Sequence, residues 1–212
     1  MRFRAALFDM DGTLIDSMGV WAHVDEVFFM RRGIPLPEDY ARSIAGLSFR
    51  QTGEYTKARF QLPESVDDIL REWHELCESA YVNDVPLKPH AAEYLKKLRG
   101  EGVRLAVATA LPERLYRPAL LRTGVLSLFD AFASTDEAGE SKRSGDVYRL
   151  AARRLGVEPA ECVVFEDILD GLLGAKAAGM KAVLVRDPAA AGERERALTV
   201  CDAAIDGFGD WL

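Results

Sequence analysis

The sequence predicts an α/β fold: a doubly wound parallel sheet with a helical segment inserted after its first strand. Short apolar runs alternate with stretches of helical periodicity over most of the chain, and strands separated by whole helices form parallel sheets. Residues 18–84, in contrast, show helical periodicity alone. We therefore expect a core domain made of residues 1–17 and 85–212 and a helical cap domain made of residues 18–84. A chain of 212 residues is long enough for both.

Six short apolar runs are predicted to be strands. The first, AALF at residues 5–8, contains no Gly or Pro and ends abruptly at Asp9. Later runs of the same kind cover residues 104–108, 131–134, 162–165, 182–185 and 203–205. The polar tail after the last run shows no defined pattern, so no element is predicted there.

The helices follow from apolar spacing and from capping residues. In the insert, one helix begins near Met18 and ends at Gly33, and the clearest begins at Ser65, which has the capping-box spacing with Asp68. Shorter insert helices are expected over residues 38–45 and 49–60, and core helices over residues 90–99, 112–124, 146–155 and 170–178.

The residues after the first strand carry the first chemical signal. In an extended chain, side chains two residues apart point the same way, about 6.6 Å along the strand, so Asp9 and Asp11 face one small volume. Two carboxylates this close repel each other unless a cation, a proton or a substrate group lies between them. The pattern fits hydrolysis of a phosphate monoester, with Asp9 as the nucleophile that forms an aspartyl-phosphate and Asp11 as the acid and base.

Two further predicted strands also run directly into polar residues. Thr109 follows the second strand, and Glu166 and Asp167 follow the fourth. Ligands of open parallel sheets bind at the carboxyl ends of the strands, so these residues are expected to meet Asp9 there. Each has an ordinary explanation on its own, such as a helix cap or a solvated loop, and Lys142 could be a surface lysine. The expectation depends on their joint placement.

Composition bounds the partners and the surroundings of the protein. A net charge of −7 argues against nucleic acid or an anionic membrane as the main partner, so local cations must attract a small phosphorylated metabolite. The first apolar run is too short for a signal peptide, and no later stretch approaches the ~18 apolar residues of a membrane span. Three isolated cysteines without metal-ligand spacing favour a reducing cytoplasm. We expect a monomer or a weak dimer.

Four motifs, in order along the chain, resemble those of the haloacid dehalogenase superfamily. Residues 9–13 (DMDGT) match its specific D-x-D-G-T motif, Thr109 matches the second motif, and Lys142 has the place of the third, a lysine ahead of a helix. Residues 165–167 (FED), followed by the run AKAAGM at residues 175–180, match the fourth. The insert resembles the C1 cap of the beta-phosphoglucomutase-like phosphatases, so the resemblance implies a Rossmann-like core with a helical cap.

The resemblance also implies a Mg²⁺ site. Asp9 would attack phosphorus and bind Mg²⁺ through its other oxygen, and Asp11 would give the ion its backbone carbonyl. Asp167 would complete the protein ligands, with Glu166 as a ligand or as the partner of one, since hard oxygen donors suit Mg²⁺. Because the Asp11 carboxylate stays off the dication, it can keep a proton and act as an acid.

A phosphate subsite and a specificity loop are implied as well. Thr109 and Lys142 would hold the phosphoryl oxygens and offset their charge. Ala110, next to Thr109, stands where the family commonly has Ser or Asn, which removes one side-chain contact from this subsite. In the insert, residues 46–50 resemble the substrate-specificity loop, where Arg50 could contact a second anionic or hydroxylated group or could be a solvated helix residue.

Three alternative functions share part of this pattern. Mutases of the subfamily carry a cap His where Trp21 stands here, which favours hydrolysis of a sugar phosphate over a beta-phosphoglucomutase-type transfer. A phosphoacceptor signalling module also gathers Asp, Thr and Lys at strand ends, but it has neither the adjoining acidic pair nor the helical insert. A dehalogenase is disfavoured because Asp11 and the following Gly-Thr pair suit phosphoryl chemistry.

Overall fold

A six-stranded parallel sheet forms the centre of the computed structural model, which describes residues 3–212. β1 lies in its middle and pairs in parallel with β2 on one side and β4 on the other, and the full order is β3-β2-β1-β4-β5-β6. The predicted fold class is confirmed. The strands are β1 (Ala5–Phe8), β2 (Arg104–Thr109), β3 (Ala131–Ser134), β4 (Cys162–Glu166), β5 (Lys181–Val185) and β6 (Ala203–Ile205).

The sheet has an apolar layer on each face because successive residues of a strand point to opposite sides. In β1, Ala6 and Phe8 belong to one apolar cluster, and Ala5 and Leu7 belong to the other. Both faces are covered by helices, which explains why the strands are continuous apolar runs rather than alternating ones. Phe8 stacks on Phe165 of the neighbouring strand with ring centroids 4.6 Å apart. This contact joins β1 and β4 within the apolar layer that contains Ala6 and Phe8.

Four helices lie between β1 and β2, as the periodicity predicts. The serines at residues 48 and 65 both form capping boxes, with Gln51 and Asp68 respectively, so the starts of the third and fourth helices are fixed by local hydrogen bonds. The first two helices are shorter than expected by a few residues at their ends, where hydrophobic periodicity carries little information. The helices are α1 (Met18–Arg31), α2 (Tyr40–Ile44), α3 (Phe49–Phe60) and α4 (Val66–Asn83).

The remaining helices cover the sheet, and two of them were not predicted. α7 has four residues and α10 has seven, which is too short for a helical period to show in the sequence. None of the helices within residues 3–212 combines the length and the apolarity that crossing a bilayer requires. They are α5 (Ala91–Gly100), α6 (Glu113–Arg122), α7 (Thr135–Ala138), α8 (Asp146–Leu155), α9 (Leu169–Ala177) and α10 (Arg194–Val200).

The C-terminal tail is ordered by packing rather than by periodicity. Residues Phe208–Trp211 form a 3-10 helix, and the fully buried Phe208 stacks on Tyr94 of α5 with ring centroids 5.5 Å apart. The absence of any predicted element after β6 was therefore wrong. A single aromatic residue in a polar segment gives no periodic signal. Phe208 nevertheless packs into the apolar layer that contains Phe8 and Phe165.

Two chain segments lead into and out of the four inserted helices, and they run side by side. Ile15 and Leu87 form an antiparallel bridge. Asp16 N donates to Pro86 O at 2.9 Å, and Lys88 N donates to Leu14 O at 2.9 Å. The insert is thus attached through one short two-stranded ribbon next to the end of β1. The division into a core of residues 1–17 and 85–212 and a cap of residues 18–84 stays a prediction.

Candidate active site

The carboxyl ends of β1, β2 and β4 lie next to one another at one edge of the sheet, and their polar residues meet there. Asp9 N donates to Phe165 O at 3.1 Å, so the pairing of β1 with β4 continues one residue past β1. This places the carboxylates of Asp9, Glu166 and Asp167 together, each offering one oxygen within 4.8 Å of the others. All three side chains are at most 4% exposed.

Two glycines allow the carboxylates to lie directly against the backbone. A Cβ at Gly12, whose φ is +77°, would lie 2.4 Å from Oδ2 of Asp167. A Cβ at Gly171, in the first turn of α9, would lie 2.2 Å from Cδ of Glu166. Thr13 Oγ1 then donates to Oδ1 of Asp167 at 2.9 Å. The D-x-D-G-T motif therefore supports the second acidic pair as well as supplying the first.

Lys142 joins this cluster from the segment between β3 and β4. It begins the short 3-10 turn ahead of α8, and its Nζ lies 2.6 Å from Oδ1 of Asp9 and 2.6 Å from Oε1 of Glu166. The turn lies close to α9, where a Cβ at Gly174 would lie 1.8 Å from the Lys142 carbonyl oxygen. Lys142 N also donates to Gly46 O at 2.8 Å, which ties the loop after α2 to the cluster.

Charge is unbalanced inside this cluster. Three buried carboxylates face one ammonium group, which leaves a formal charge of −2 when all are ionised. Burial and then the neighbouring Glu166 raise the pKa of Asp9 well above its ordinary value and raise the pKa of Asp167 to about 7. A cluster of hard carboxylate oxygens with excess negative charge fits a divalent cation such as Mg²⁺. Tyr148 OH donates to Oε1 of Glu166 at 2.8 Å and holds that side chain in place.

The Asp11 carboxylate does not join the cluster; it points toward the inserted helices. Its Oδ1 accepts hydrogen bonds from Ser17 Oγ and Tyr81 OH, each at 2.5 Å, and its Oδ2 accepts one from Trp21 Nε1 at 3.3 Å. Burial raises the pKa of Asp11, and these donors oppose that rise. The two aspartates of the motif therefore have different surroundings, one among carboxylates and one among neutral donors.

Thr109 and Ala110 lie at the end of β2, beside the carboxylate cluster. Thr109 Oγ1 accepts a hydrogen bond from Leu111 N at 3.0 Å, which leaves the hydroxyl hydrogen available for another partner. Both residues line a cavity of about 310 Å³ that also reaches Asp9, Asp11 and Lys142. The sequence-based expectation that these segments converge is met by the geometry.

The far wall of this cavity comes from the inserted helices. It is mostly apolar and aromatic, and its one acidic residue is Asp25 of α1. The predicted Arg50 is not in the wall: its side chain is 54% exposed and pairs with Asp67 at 2.8 Å on the outside of the insert. Among residues 3–212, no histidine lines the cavity. Other wall residues from the insert are Met18, Trp21, Ala22, Tyr40, Ala41, Ile44, Ala45, Gly46, Leu47, Phe49, Thr52 and Trp73.

Several residues of the site were not found from the sequence. Tyr81 belongs to the buried apolar stripe of α4, and Tyr148 lies in an amphipathic helix, so an aromatic residue is ordinary at either position. Asp25 is one polar residue among others on α1. The glycine that follows the acidic pair at residue 171 was the only local signal, because a helix seldom places glycine in its first turns without a close contact.

Comparison of the sequence with known proteins identifies a family and several related phosphatases. Residues 3–179 match the family model of haloacid dehalogenase-like hydrolases. The chain is 33% identical over 185 residues to validoxylamine A 7'-phosphate phosphatase of Streptomyces hygroscopicus subsp. limoneus, which covers 84% of this chain and 83% of the relative. It is 28% identical over 179 residues to a phosphorylated carbohydrates phosphatase of Thermotoga maritima, with 84% and 83% covered.

Solved structures share the whole architecture. The crystal structure of CbbY from Rhodobacter sphaeroides in complex with phosphate superimposes with a TM-score of 0.84 at 29% identity and covers 98% of this chain and 96% of that one. Another structure of CbbY, in complex with xylulose-(1,5)bisphosphate, gives a TM-score of 0.85 at 28% identity with the same coverage. The match of the family model over most of the chain, together with these relatives, shows that the protein belongs to the haloacid dehalogenase-like hydrolase family.

Proposed function

We propose that the protein is a Mg²⁺-dependent phosphatase that hydrolyses a small phosphomonoester, a sugar phosphate, through an aspartyl-phosphate at Asp9. The observation that carries the proposal is the cluster of buried carboxylates with Lys142 at one end of the cavity, beside the hydroxyl of Thr109. The names of the relatives support the substrate class, since they are phosphatases of validoxylamine A 7'-phosphate and of phosphorylated carbohydrates.

The residues fit a magnesium ion and a phosphoryl group side by side. Asp9, Glu166 and Asp167 would hold the ion together with the backbone carbonyl of Asp11, and the bound ion would offset the charge of the phosphoryl oxygens. Lys142 remains within reach of Asp9 and can neutralise a phosphoryl oxygen beside it, and its burial makes this interaction stronger than it would be in water. The Thr109 hydroxyl and the Ala110 backbone would bind the phosphoryl group.

Two displacements complete the proposed reaction. A carboxylate oxygen of Asp9 attacks phosphorus while the bond from phosphorus to the leaving oxygen breaks, and Asp11 gives its proton to that oxygen. Water then attacks the phosphorus of the aspartyl-phosphate, Asp11 takes the proton from the water, and the bond to the Asp9 oxygen breaks. The raised pKa of Asp11 suits a group that must hold a proton in the first step.

Hydrolysis is favoured over transfer to a second sugar hydroxyl by what lies near Asp11. Trp21, which stands in the sequence where mutases of the subfamily carry a cap His, donates from Nε1 to Asp11 Oδ2 and, at 2.8 Å, to Tyr81 OH, and an indole cannot take a proton from a sugar hydroxyl. His23 is exposed on the other side of α1 and does not line the cavity. A beta-phosphoglucomutase-type mutase remains the alternative, and it would be recognised by isomerised sugar phosphate in place of free phosphate.

The test is phosphate release from a panel of sugar and nucleotide phosphates by the wild type and by Asp9→Asn, with Asp16→Asn as an exposed acidic control from the same segment. We expect Mg²⁺-dependent turnover that is lost with a chelator, at least about a thousandfold loss in Asp9→Asn, and ordinary activity in the control. Acid quenching early in turnover should leave labelled phosphate on the wild type.

Activity in Asp9→Asn close to that of the wild type would refute the assignment of Asp9 as the nucleophile. A single stoichiometric phosphorylation without turnover would identify a phosphoacceptor instead.

A further inference from the structure

Asp25 is an acidic residue in the cavity wall that the proposed reaction does not use. It lies on α1, among the inserted helices, whereas the carboxylates proposed to bind metal lie at the strand ends. Within residues 3–212, no side chain or backbone group pairs with its carboxylate, and burial is the one cause that raises its pKa to about 7. Asp11 differs in this respect, because three donors surround it.

Asp25 shares the insert side of the cavity with several aromatic residues. Trp21, Tyr40, Phe49 and Trp73 line this side as well, and Phe49 packs against both tryptophans with ring centroids 6.0 and 5.9 Å apart. The face of an aromatic ring carries negative potential and attracts cations, most strongly for Trp. A cavity wall that combines a carboxylate with several aromatic rings is therefore complementary to an organic cation.

Basic residues are missing from this wall. Lys142 is the one Lys, Arg or His that lines the cavity among residues 3–212, and it is engaged at the strand ends by Asp9 and Glu166. Arg50, the basic residue of the specificity loop, is paired on the outer surface. A second phosphate or a carboxylate on the substrate would therefore meet Asp25 without any compensating cation, and burial of an unpaired charge is strongly unfavourable.

We propose that Asp25 sets the substrate class: the leaving group carries a protonated amine or quaternary ammonium that pairs with Asp25 against the aromatic wall, and substrates with a second anionic group are rejected. This inference rests on the proposed phosphatase function, because it concerns the part of the same cavity that holds the leaving group. The cavity then has two ends of opposite preference, one for the phosphoryl group at the strand ends and one for a cation at α1.

Matched substrate pairs test the proposal, since the members of each pair differ in the cationic group. Glucosamine 6-phosphate is compared with glucose 6-phosphate, pyridoxamine 5'-phosphate with pyridoxine 5'-phosphate, and choline phosphate with 3,3-dimethylbutyl phosphate. Fructose 6-phosphate and fructose 1,6-bisphosphate form the pair that tests a second anion. We expect the wild type to prefer the cationic member of at least one pair by about tenfold or more in kcat/KM and to disfavour the bisphosphate by a similar factor.

The variant Asp25→Asn keeps the size of the side chain and removes its charge. We expect the ratio of kcat/KM within each pair to fall to about one, because the variant no longer carries the charge that distinguishes the two members. Glu26→Gln is the matched control: it removes a charge from the next residue of the same helix, which is exposed and outside the cavity wall. Its ratios should equal those of the wild type.

Binding of the dephosphorylated leaving groups separates this inference from the proposed function. Glucosamine, pyridoxamine and choline should raise the melting temperature of the wild type more than glucose, pyridoxine and 3,3-dimethylbutanol do, and this difference should vanish in Asp25→Asn. Phosphate release without any cation preference would overturn the inference and leave the phosphatase intact. Cation-selective binding in a protein that releases no phosphate from any substrate would overturn the proposed function and support the cation site. Equal binding of both members of every pair would overturn the inference directly.

Discussion

Replacement of Asp25 by Asn should stabilise the protein, and the gain should grow with pH. Burial raises the pKa of this carboxyl from 3.8 to about 7. Between these two values the folded protein keeps a proton that the unfolded chain has released, so the stability of the wild type falls as pH rises and becomes constant above about pH 7. One pKa unit corresponds to about 1.36 kcal/mol, so full ionisation of Asp25 costs about 4 kcal/mol of folding free energy.

The free energy cost of ionising Asp25 differs between about pH 5 and about pH 9. At about pH 5 the unfolded chain is already ionised while the folded carboxyl is not, so about 1.7 kcal/mol of the cost is present, and the remaining ~2.7 kcal/mol accumulates by about pH 9. Asn cannot ionise, so the difference in unfolding free energy between variant and wild type isolates this residue. The other titratable groups that line the cavity are present in both proteins; they are Tyr40, Asp9, Asp11, Asp167 and Lys142.

The measurement is urea denaturation of the wild type and of Asp25→Asn at both pH values, without ligand, with Glu26→Gln as the control. We expect the variant to gain on the order of 2–3 kcal/mol relative to the wild type between the lower and the higher pH, and the control to gain nothing. Addition of a ligand that carries an ammonium group should reduce the gain, because the cation stabilises the charged carboxylate. A difference between variant and wild type that is the same at both pH values would show that Asp25 is paired or solvated, and the reasoning would fail.

Three other changes test the remaining parts of the site. Lys142→Met should abolish phosphate release and, measured by urea denaturation in chelator, should destabilise the fold by about 3 kcal/mol, because it leaves buried carboxylates without their cation. Gly171→Ala should weaken Mg²⁺ binding about 10- to 100-fold, measured by titration, because the added Cβ would overlap the Glu166 carboxylate. The control Gly19→Ala, also in a helix but facing open space, should bind Mg²⁺ as the wild type does. Equal affinities of the two variants would contradict this account. Tyr81→Phe removes a donor from Asp11 and should lower the unfolding free energy by about 1.5–3 kcal/mol at neutral pH, and no loss would mean that this hydrogen bond is unimportant.

Local features of the sequence were enough to predict the sheet and most helices. β1 could be read from four apolar residues that end at Asp9, and the capping boxes at Ser48 and Ser65 depend only on residues three positions apart. The sequence also predicted that Asp9 and Thr109 lie near residues 165–167. The carboxyl ends of parallel strands lie at one edge of the sheet whatever the details of packing. The short helix α10 and the packed Phe208 were missed because neither leaves a periodic trace.

The sequence by itself determined which polar residues meet at the carboxyl ends of the strands, and the tertiary structure alone decided what surrounds them. A helical pattern shows which face of α1 or α4 is apolar, but not which part of that helix reaches the cavity, because this depends on how the insert is set against the sheet. That arrangement places Tyr81 on Asp11, leaves Arg50 on the outer surface and exposes Asp25 to the cavity. Short-range backbone geometry is encoded within a few residues, whereas contacts between distant side chains are fixed only when whole elements pack together.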